Sequence, residues 1–356
     1  MSTRRQFLAQ AAALPLVPAL GGAAAAAPAG PKAKFAVISD CHLALAEQKG
    51  VADGFKLGRK TRMLTENTVA AVNRIEGLDF VLVGGDLTQD AEPWNIDVVR
   101  RVLDGLKVPY YAVLGNHDVS PVPHDEKDQP VTLSKYVLSG AFVGEHGGMS
   151  PGNTYYAREV VPGLVLVALD STRPQVYVPE TGLNDYGGEV DAAQMRWLDA
   201  TLAANKGKAV IVLTHHSAVH WHPAERSKDH NHWRWFWMDN GPEVARLLGK
   251  HKVRAVFSGH RHISTRFQRV HGVHHFVHPA LSTYPMRFAV YEMDGHGLKW
   301  ETRNVPASRE VWEVAKSNFL ATKWWRGPDH PATPEGDRRY LGFYESPATM
   351  KGQVRL

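Results

Sequence analysis

The chain has 356 residues, 44% of them hydrophobic, and a formal net charge of +5, which suits one large globular domain or two small ones with a mildly basic surface. Charges of both signs are dispersed, and the absence of a basic run argues against a nucleic-acid partner. The single cysteine, Cys41, excludes an intrachain disulfide, so the fold is held by core packing and by any bound metal.

The first residues read as a leader. MSTRRQFLAQAAALPLVPALGGAAAAAPAG places two arginines before a moderately apolar stretch and then small residues, the layout of a secretory signal peptide. TRRQFL (Thr3 to Leu8) resembles the bacterial twin-arginine export signal, with Phe7 and Leu8 at its apolar positions. Pro15, Pro18 and the Gly21-Gly22 pair interrupt the stretch, which is short of the roughly 20 clean apolar residues of a membrane span. The expectation is a leader over residues 1–27 and no stable membrane anchor. Delivery to the periplasm, or secretion, would use the twin-arginine export machinery. Because that route carries folded proteins, the resemblance implies a cofactor loaded before export.

After the leader, apolar runs alternate with amphipathic ones. KFAVISD (34–40) reads as a strand, KTRMLTENTVAAVNRIEG (60–77) as a helix with Met63, Leu64, Thr68, Ala71 and Ile75 on one stripe, and DFVLVGGD (79–86) as a strand. A helix at 94–106 precedes the strand YYAVLGNHD (110–118). The strand LVLVALDS (164–171), a helix at 191–205, and the strands KAVIVLTHH (208–216) and VRAVFSGHRH (253–262) complete the series. Such alternation predicts an α/β fold with strands buried on both faces. HHFVHPAL (274–281) and RFAVYEMDGHGLKW (287–300) read as a hairpin-rich, more antiparallel portion, with MDGHG as its turn. The tail from 305 to 356 holds a predicted helix at 311–325 and a Pro/Gly-rich end.

Five of the six buried strands end in polar clusters: Asp40-Cys41-His42, Gly85-Asp86, Gly115-Asn116-His117-Asp118, His215-His216 and Gly259-His260-Arg261-His262. In open α/β sheets, ligands bind at the carboxyl ends of strands. Singly, a strand-end Asp is commonly a helix cap and a His pair ordinary loop. Together they place imidazoles, carboxylates and an amide on one edge. That donor set suits Mn, Fe, Zn, Ni or Co, and it excludes a thiolate zinc site. The set is too large for one ion and about right for two ions, divalent or mixed-valence, sharing a carboxylate. Two ions about 3.5–4 Å apart clamp the attacking and leaving oxygens of an in-line displacement, with a bridging hydroxide as nucleophile. A histidine left off the metals can protonate the leaving oxygen.

The ordered set D-x-H, G-D, G-N-H-D, H and G-H-x-H resembles the calcineurin-like metallophosphoesterase superfamily over residues 34–262. GGDLTQD, LDST with the later QMRWLDATL, and FSGHRH resemble most its bacterial branch containing cyclic-nucleotide-type phosphodiesterases. The resemblance implies a double β-sheet sandwich flanked by helices over residues 28–304, with 305–356 as an extension. It implies that Asp40, His42 and His262 hold one metal with Asp86. Asp86 would bridge to a second metal held by Asn116, His215 and His260, and His117 would contact phosphate and protonate the leaving group. His215 is chosen over His216 because the family writes His-x-Pro there, although Ser217 stands in place of the proline. Relatives carry an acidic residue three places after the bridging Asp to orient the catalytic His. Here that place is Gln89, followed by Asp90, so either, or Asp118, would support His117. Purple acid phosphatases carry a Tyr at that place and lack the His of D-x-H, so this chain is not expected to be purple. Cys41 reads as a small buried filler, the rival being an oxidation-sensitive thiol beside the metals.

HWHPAERSKDHNHWRWFWMDNG (220–241) leaves His215 and returns before His260, so Trp221, His222, Trp233 and Trp235 are expected to line a substrate's base or sugar, or to pack as a lid. The functional expectation is an exported dinuclear hydrolase of small-molecule phosphodiesters. A phosphomonoesterase on the same site is the first rival and a non-catalytic scaffold the remote one, disfavoured because all seven ligand positions are filled. A nuclease would want a basic groove.

Overall fold

In the computed structural model, which describes residues 30–356 apart from 49, 120–130, 179–182, 222–234 and 323–331, the apolar runs become the central strands of two sheets. In chain order the strands are β1 (Ala33–Ile38), β2 (Phe80–Val83), β3 (Tyr110–Ala112), β4 (His146–Gly147), β5 (Tyr156–Val161), β6 (Leu164–Ala168), β7 (Tyr177–Val178) and β8 (Leu183–Asn184). There follow β9 (Ala209–Thr214), β10 (Ala255–Ser258), β11 (Arg266–Val270), β12 (Val273–Val277), β13 (Arg287–Met293), β14 (Gly297–Asn304) and β15 (Lys351–Arg355). The helices are α1 (Thr61–Val72), α2 (Pro93–Leu103), α3 (Lys135–Leu138), α4 (Ala192–Ala204), α5 (Gly241–Lys250), α6 (Arg309–Ala321) and α7 (Pro334–Glu345).

One sheet is ordered β15-β14-β13-β1-β2-β3-β4 and the other β11-β12-β10-β9-β6-β5. Strands β1 to β4 pair in parallel, and so do β6, β9, β10 and β12, with antiparallel strands at the margins. The sheets meet through an aromatic layer. Phe35 of β1 stacks on Phe80 at 4.9 Å and meets Phe257 of β10 edge-on at 5.4 Å, while Phe257 lies 5.0 Å from Tyr291 of β13. Leu198, Leu202, Val244 and Leu248 of α4 and α5 cover the outer face of the second sheet. The fold is the α/β double-sheet sandwich flanked by helices.

Three details differ from the sequence expectation. The stripe expected on α1 is rotated: Met63 is 37% exposed, and the buried residues are Thr61, Leu64, Thr65, Thr68, Val69 and Val72. Threonines are buried there because their hydroxyls donate to backbone carbonyls one turn back, Thr65 to Thr61 at 2.8 Å and Thr68 to Leu64 at 2.7 Å. The polar clusters lie on the carboxyl ends of two facing sheets rather than on one edge, β1, β2 and β3 from the first and β9 and β10 from the second. The run HHFVHPAL contributes β12, which is parallel to β10 as well as antiparallel to β11. The hairpin of β13 and β14 forms as expected, its turn fixed by Asp294 Oδ1, which accepts from the amides of His296 and Gly297. The tail returns to the domain. Phe319, Tyr340 and Tyr344 join the main core, and β15 adds to the edge of the first sheet.

Candidate metal centre

The strands stop before their polar clusters for a local reason. Asp40, His42, Asp86, His260 and His262 all have positive φ, between 44° and 66°, a conformation that no strand continues and that side chains other than glycine rarely adopt. Strain of this kind persists where the surrounding structure over-determines it. Asp40 is held by the Ser39 hydroxyl at 2.6 Å and the His260 amide at 3.1 Å. The close approach also requires glycine beside the cluster. A Cβ on Gly115 would lie 2.1 Å from Asp86 Oδ1.

The left-handed turns point buried donors at one another. Asp40, His42, Asp86 and His262 each place one ligand atom within 4.8 Å of the rest. His262 Nε2 lies 3.1 Å from Asp40 Oδ1, and His42 Nε2 lies 3.2 Å from His262 Nε2 and 3.3 Å from Asp86 Oδ2. The other oxygen of Asp86 lies 3.3 Å from His215 Nε2, which is also 3.1 Å from Asn116 Oδ1. Asp86 therefore joins two groups of donors, one oxygen to each. His260 completes the second group. Its Nε2 donates to the Trp235 carbonyl at 2.6 Å, which leaves Nδ1 as its ligand nitrogen. His215 is oriented the same way through Nδ1 and the Gly84 carbonyl at 2.7 Å, leaving Nε2 for the site.

Adjacent His216 also lies near His215 and His260, but both its nitrogens are engaged, Nδ1 with Ser171 Oγ at 2.9 Å and Nε2 with the Tyr186 carbonyl at 2.8 Å. This separates the two histidines: His215 Nε2 faces the candidate ligands Asp86 and Asn116, whereas both nitrogens of His216 are engaged outside the donor groups. Ser171 follows β6, the one buried run without a ligand, and so serves the site indirectly.

Electrostatics favour a cation here. Burial and the nearby Lys56 ammonium hold His42 well below the usual imidazole range, and burial with the His216 and His215 charges does the same to His260. Burial opposes the charge of Asp86, yet the flanking His215 and His42 keep it ionised. Burial disfavours a charged His215, but the Asp86 carboxylate outweighs it and pushes that imidazole up to about 9, so a bound cation would take the place of its proton. Imidazoles around an ionised carboxylate form a donor set that fits borderline transition ions.

His117 stands beside this centre. Its amide donates to Asp86 Oδ1 at 2.9 Å, and its Nδ1 lies 2.7 Å from the Gln89 carbonyl and 2.9 Å from Asp90 Oδ1. Of the three supporting candidates, Asp90 reaches the ring with its side chain and Gln89 with its backbone. Asp118 does not reach the ring. Its carboxylate accepts from the amides of Leu87, Thr88 and Gly115, tying the loop after β2 to the loop after β3.

Among the aromatic residues expected to line a substrate, Trp235 is buried and contributes its carbonyl to His260, and the Trp221 indole donates to Ser217 Oγ at 2.9 Å. His222 and Trp233 lie outside the described residues. Three contacts escaped the sequence reading. Tyr186 stacks on His117 at 5.5 Å, Gln175 Nε2 donates to the Asn116 carbonyl at 2.7 Å, and Lys56 Nζ lies 2.9 Å from His117 Nε2. None sits in a strand-end cluster, so no sequence signal marked them. Cys41 is buried, and burial with the Asp40 and Asp118 charges raises its pKa, so it is the inert filler.

Residues 33–264 match the family described as Calcineurin-like phosphoesterase. The chain is 26% identical over 185 residues to a probable cyclic nucleotide phosphodiesterase of Synechococcus, covering 52% of this chain and 58% of that protein. It is 24% identical over 256 residues to a 3',5'-cyclic-nucleotide phosphodiesterase of Nostoc, covering 69% and 77%. Its fold is similar to that of a dimetal phosphatase from Danio rerio, with a TM-score of 0.55 at 17% identity, covering 77% of this chain and 96% of that one.

Proposed function

The chain belongs to the calcineurin-like phosphoesterase family and is a metal-dependent phosphoric ester hydrolase, and we propose that its substrates are small phosphodiesters, cyclic nucleotides among them. The observation that carries this reading is Asp86, whose two oxygens face His42 and His215, with His117 bonded to the same carboxylate through its amide. Asp40, His42, His262 and Asp86 would hold one ion, and Asp86, Asn116, His215 and His260 the other. Such ions, when bound, supply Lewis-acid polarisation of the phosphoryl group and lower the pKa of water.

The chain's own residues do the rest. Asp90 and the Gln89 carbonyl fix the His117 proton at Nδ1 and turn Nε2 to the reacting centre. There Nε2 can carry a second proton to a leaving oxygen. Tyr186 walls one face of His117 and meets Trp235 edge-on at 6.0 Å, an aromatic margin suited to a leaving group that carries a ring. The relatives named as cyclic-nucleotide phosphodiesterases support the same substrate class.

The test is a panel of cyclic nucleotides, acyclic diesters and monoesters assayed with metal-reconstituted protein. Diesters are expected to give the higher kcat/KM, and a preference for monoesters would replace this reading with the phosphatase one. From residues 3–8 we also propose export by the twin-arginine route. No helix among the described residues is long and apolar enough to cross a membrane.

A further inference from the structure

Lys56 lies in the segment between β1 and α1, far from every strand-end cluster. Its Nζ nevertheless sits 3.0 Å from His42 Nδ1 and 2.9 Å from His117 Nε2, between a candidate metal ligand and the proton donor. Among the described residues it makes no ion pair with a carboxylate. The segment that delivers it is fixed on several sides. The Leu57 amide donates to the Ser282 carbonyl at 2.9 Å, and the Gly54 amide to that of Lys56 at 2.9 Å. Phe55 stacks on His262 at 5.7 Å and on Phe319 of α6 at 6.1 Å, and Asn318 donates to the Asp53 carbonyl at 3.4 Å. A lysine whose partners are two imidazoles rather than a carboxylate is thus held beside the site.

Its two present partners cannot both keep it. His117 Nδ1 faces two acceptors and donates there, so a neutral ring offers Nε2 to the ammonium. His42 is different. A ring that binds a cation through Nε2 carries its proton on Nδ1 and no longer accepts from an ammonium. With the ligand set engaged, Lys56 therefore has donors to spare beside His117. A phosphoryl group brings negative oxygens to that place, and a compact lysine charge is a common phosphate binder.

We propose that Lys56 receives a non-bridging phosphoryl oxygen of the substrate at the place beside His117 Nε2. The inference rests on the phosphoesterase reading above. It makes Lys56 a substrate contact rather than a brace between two rings. Losing a charge-assisted hydrogen bond to phosphate weakens the ground state and the transition state together. It does so regardless of the leaving group.

The test uses the full, metal-reconstituted chain with Lys56→Met, and with Lys56→Gln should the first fail to fold by circular dichroism. Metal content is expected to stay at the wild-type stoichiometry. Inhibition by inorganic phosphate and kcat/KM should both weaken roughly 10- to 100-fold, by the same factor for nitrophenyl and alkyl diesters. Lys56→Arg should recover most of both. Wild-type phosphate inhibition in a folded, metal-replete variant overturns the proposal, and so does loss of metal, which would mark Lys56 as a brace. A wild-type protein that cleaves none of the esters overturns the phosphoesterase reading instead, and direct titration with phosphate still decides the role of Lys56.

Discussion

Asp90 Oδ1 lies 2.9 Å from His117 Nδ1, a contact 27 positions apart in sequence that gives the ring a fixed proton and a fixed direction.

His117→Ala is expected to leave metal content near normal, because His117 belongs to neither donor group, its Nδ1 being engaged by Asp90 and the Gln89 carbonyl and its Nε2 lying beside Lys56. The rate should fall by roughly 10²–10⁴-fold, the loss typical of a missing general acid. Alkyl esters should suffer more than nitrophenyl esters, whose leaving group departs as an anion. Asp90→Asn should show the same bias to a smaller degree. Steady-state kinetics on both ester classes, with metal analysis, checks this. Metal loss in His117→Ala would make the ring a ligand.

Asp86→Asn should abolish turnover and lower the bound metal, since a neutral amide bridges two cations poorly and leaves His42 and His215 without their shared anion. Metal analysis of the purified variant reads this directly. Full metal stoichiometry with a near-normal rate would remove the two-ion assignment.

His275 is buried with neither ring nitrogen hydrogen-bonded among the described residues, and burial, with the His271 and His274 charges, pushes its pKa down to about 3. The folded value lies below the unfolded one near 6.5, so the unfolded chain takes up the proton first. Stability is therefore constant above pH 6.5 and falls as pH drops from 6.5 toward 3. At pH 5 this imidazole alone should cost about 2 kcal/mol relative to pH 8. His275→Leu should lose less stability than wild type between pH 8 and pH 5 in urea melts. An equal loss in both proteins would contradict the assignment.

Replacing Arg4 and Arg5 by Lys should hold the precursor in the cytoplasm if the twin-arginine proposal is right. Cell fractionation reads the outcome, and unchanged export would point to the general secretory route.

The α/β alternation was legible because it rests on local sequence, and the double-sheet sandwich followed from the ordered motifs that resemble the family. Continuous apolar runs mark doubly buried strands and polar clusters mark their ends, and the motif resemblance then picked out Asp40, His42, Asp86, Asn116, His215, His260 and His262 as candidate ligands, which the structure brings together. What was illegible depends on tertiary meeting. Met63 and Val69 are equally apolar, and only the lie of α1 on the sheet decides which is buried. Lys56 resembles any loop lysine until Phe55, Ser282 and Phe319 fix its segment. Asp90 and Gln89 were indistinguishable by type, and backbone geometry assigned the side chain of one and the carbonyl of the other to His117.

The segment carrying Phe55 and Lys56 has a consequence for how the molecule comes into being. Every candidate metal ligand has been synthesised by residue 262, yet Phe319 supports the ring that stacks on His262, and β13 closes the open side of β1, pairing Ala33 with Met293. A nascent chain can therefore carry the whole ligand set on the ribosome without the framework that aims it. Fragments ending before α6 should accumulate as ligand-complete but unfinished species, and occupancy of the centre would mark the arrival of the last part of the polypeptide.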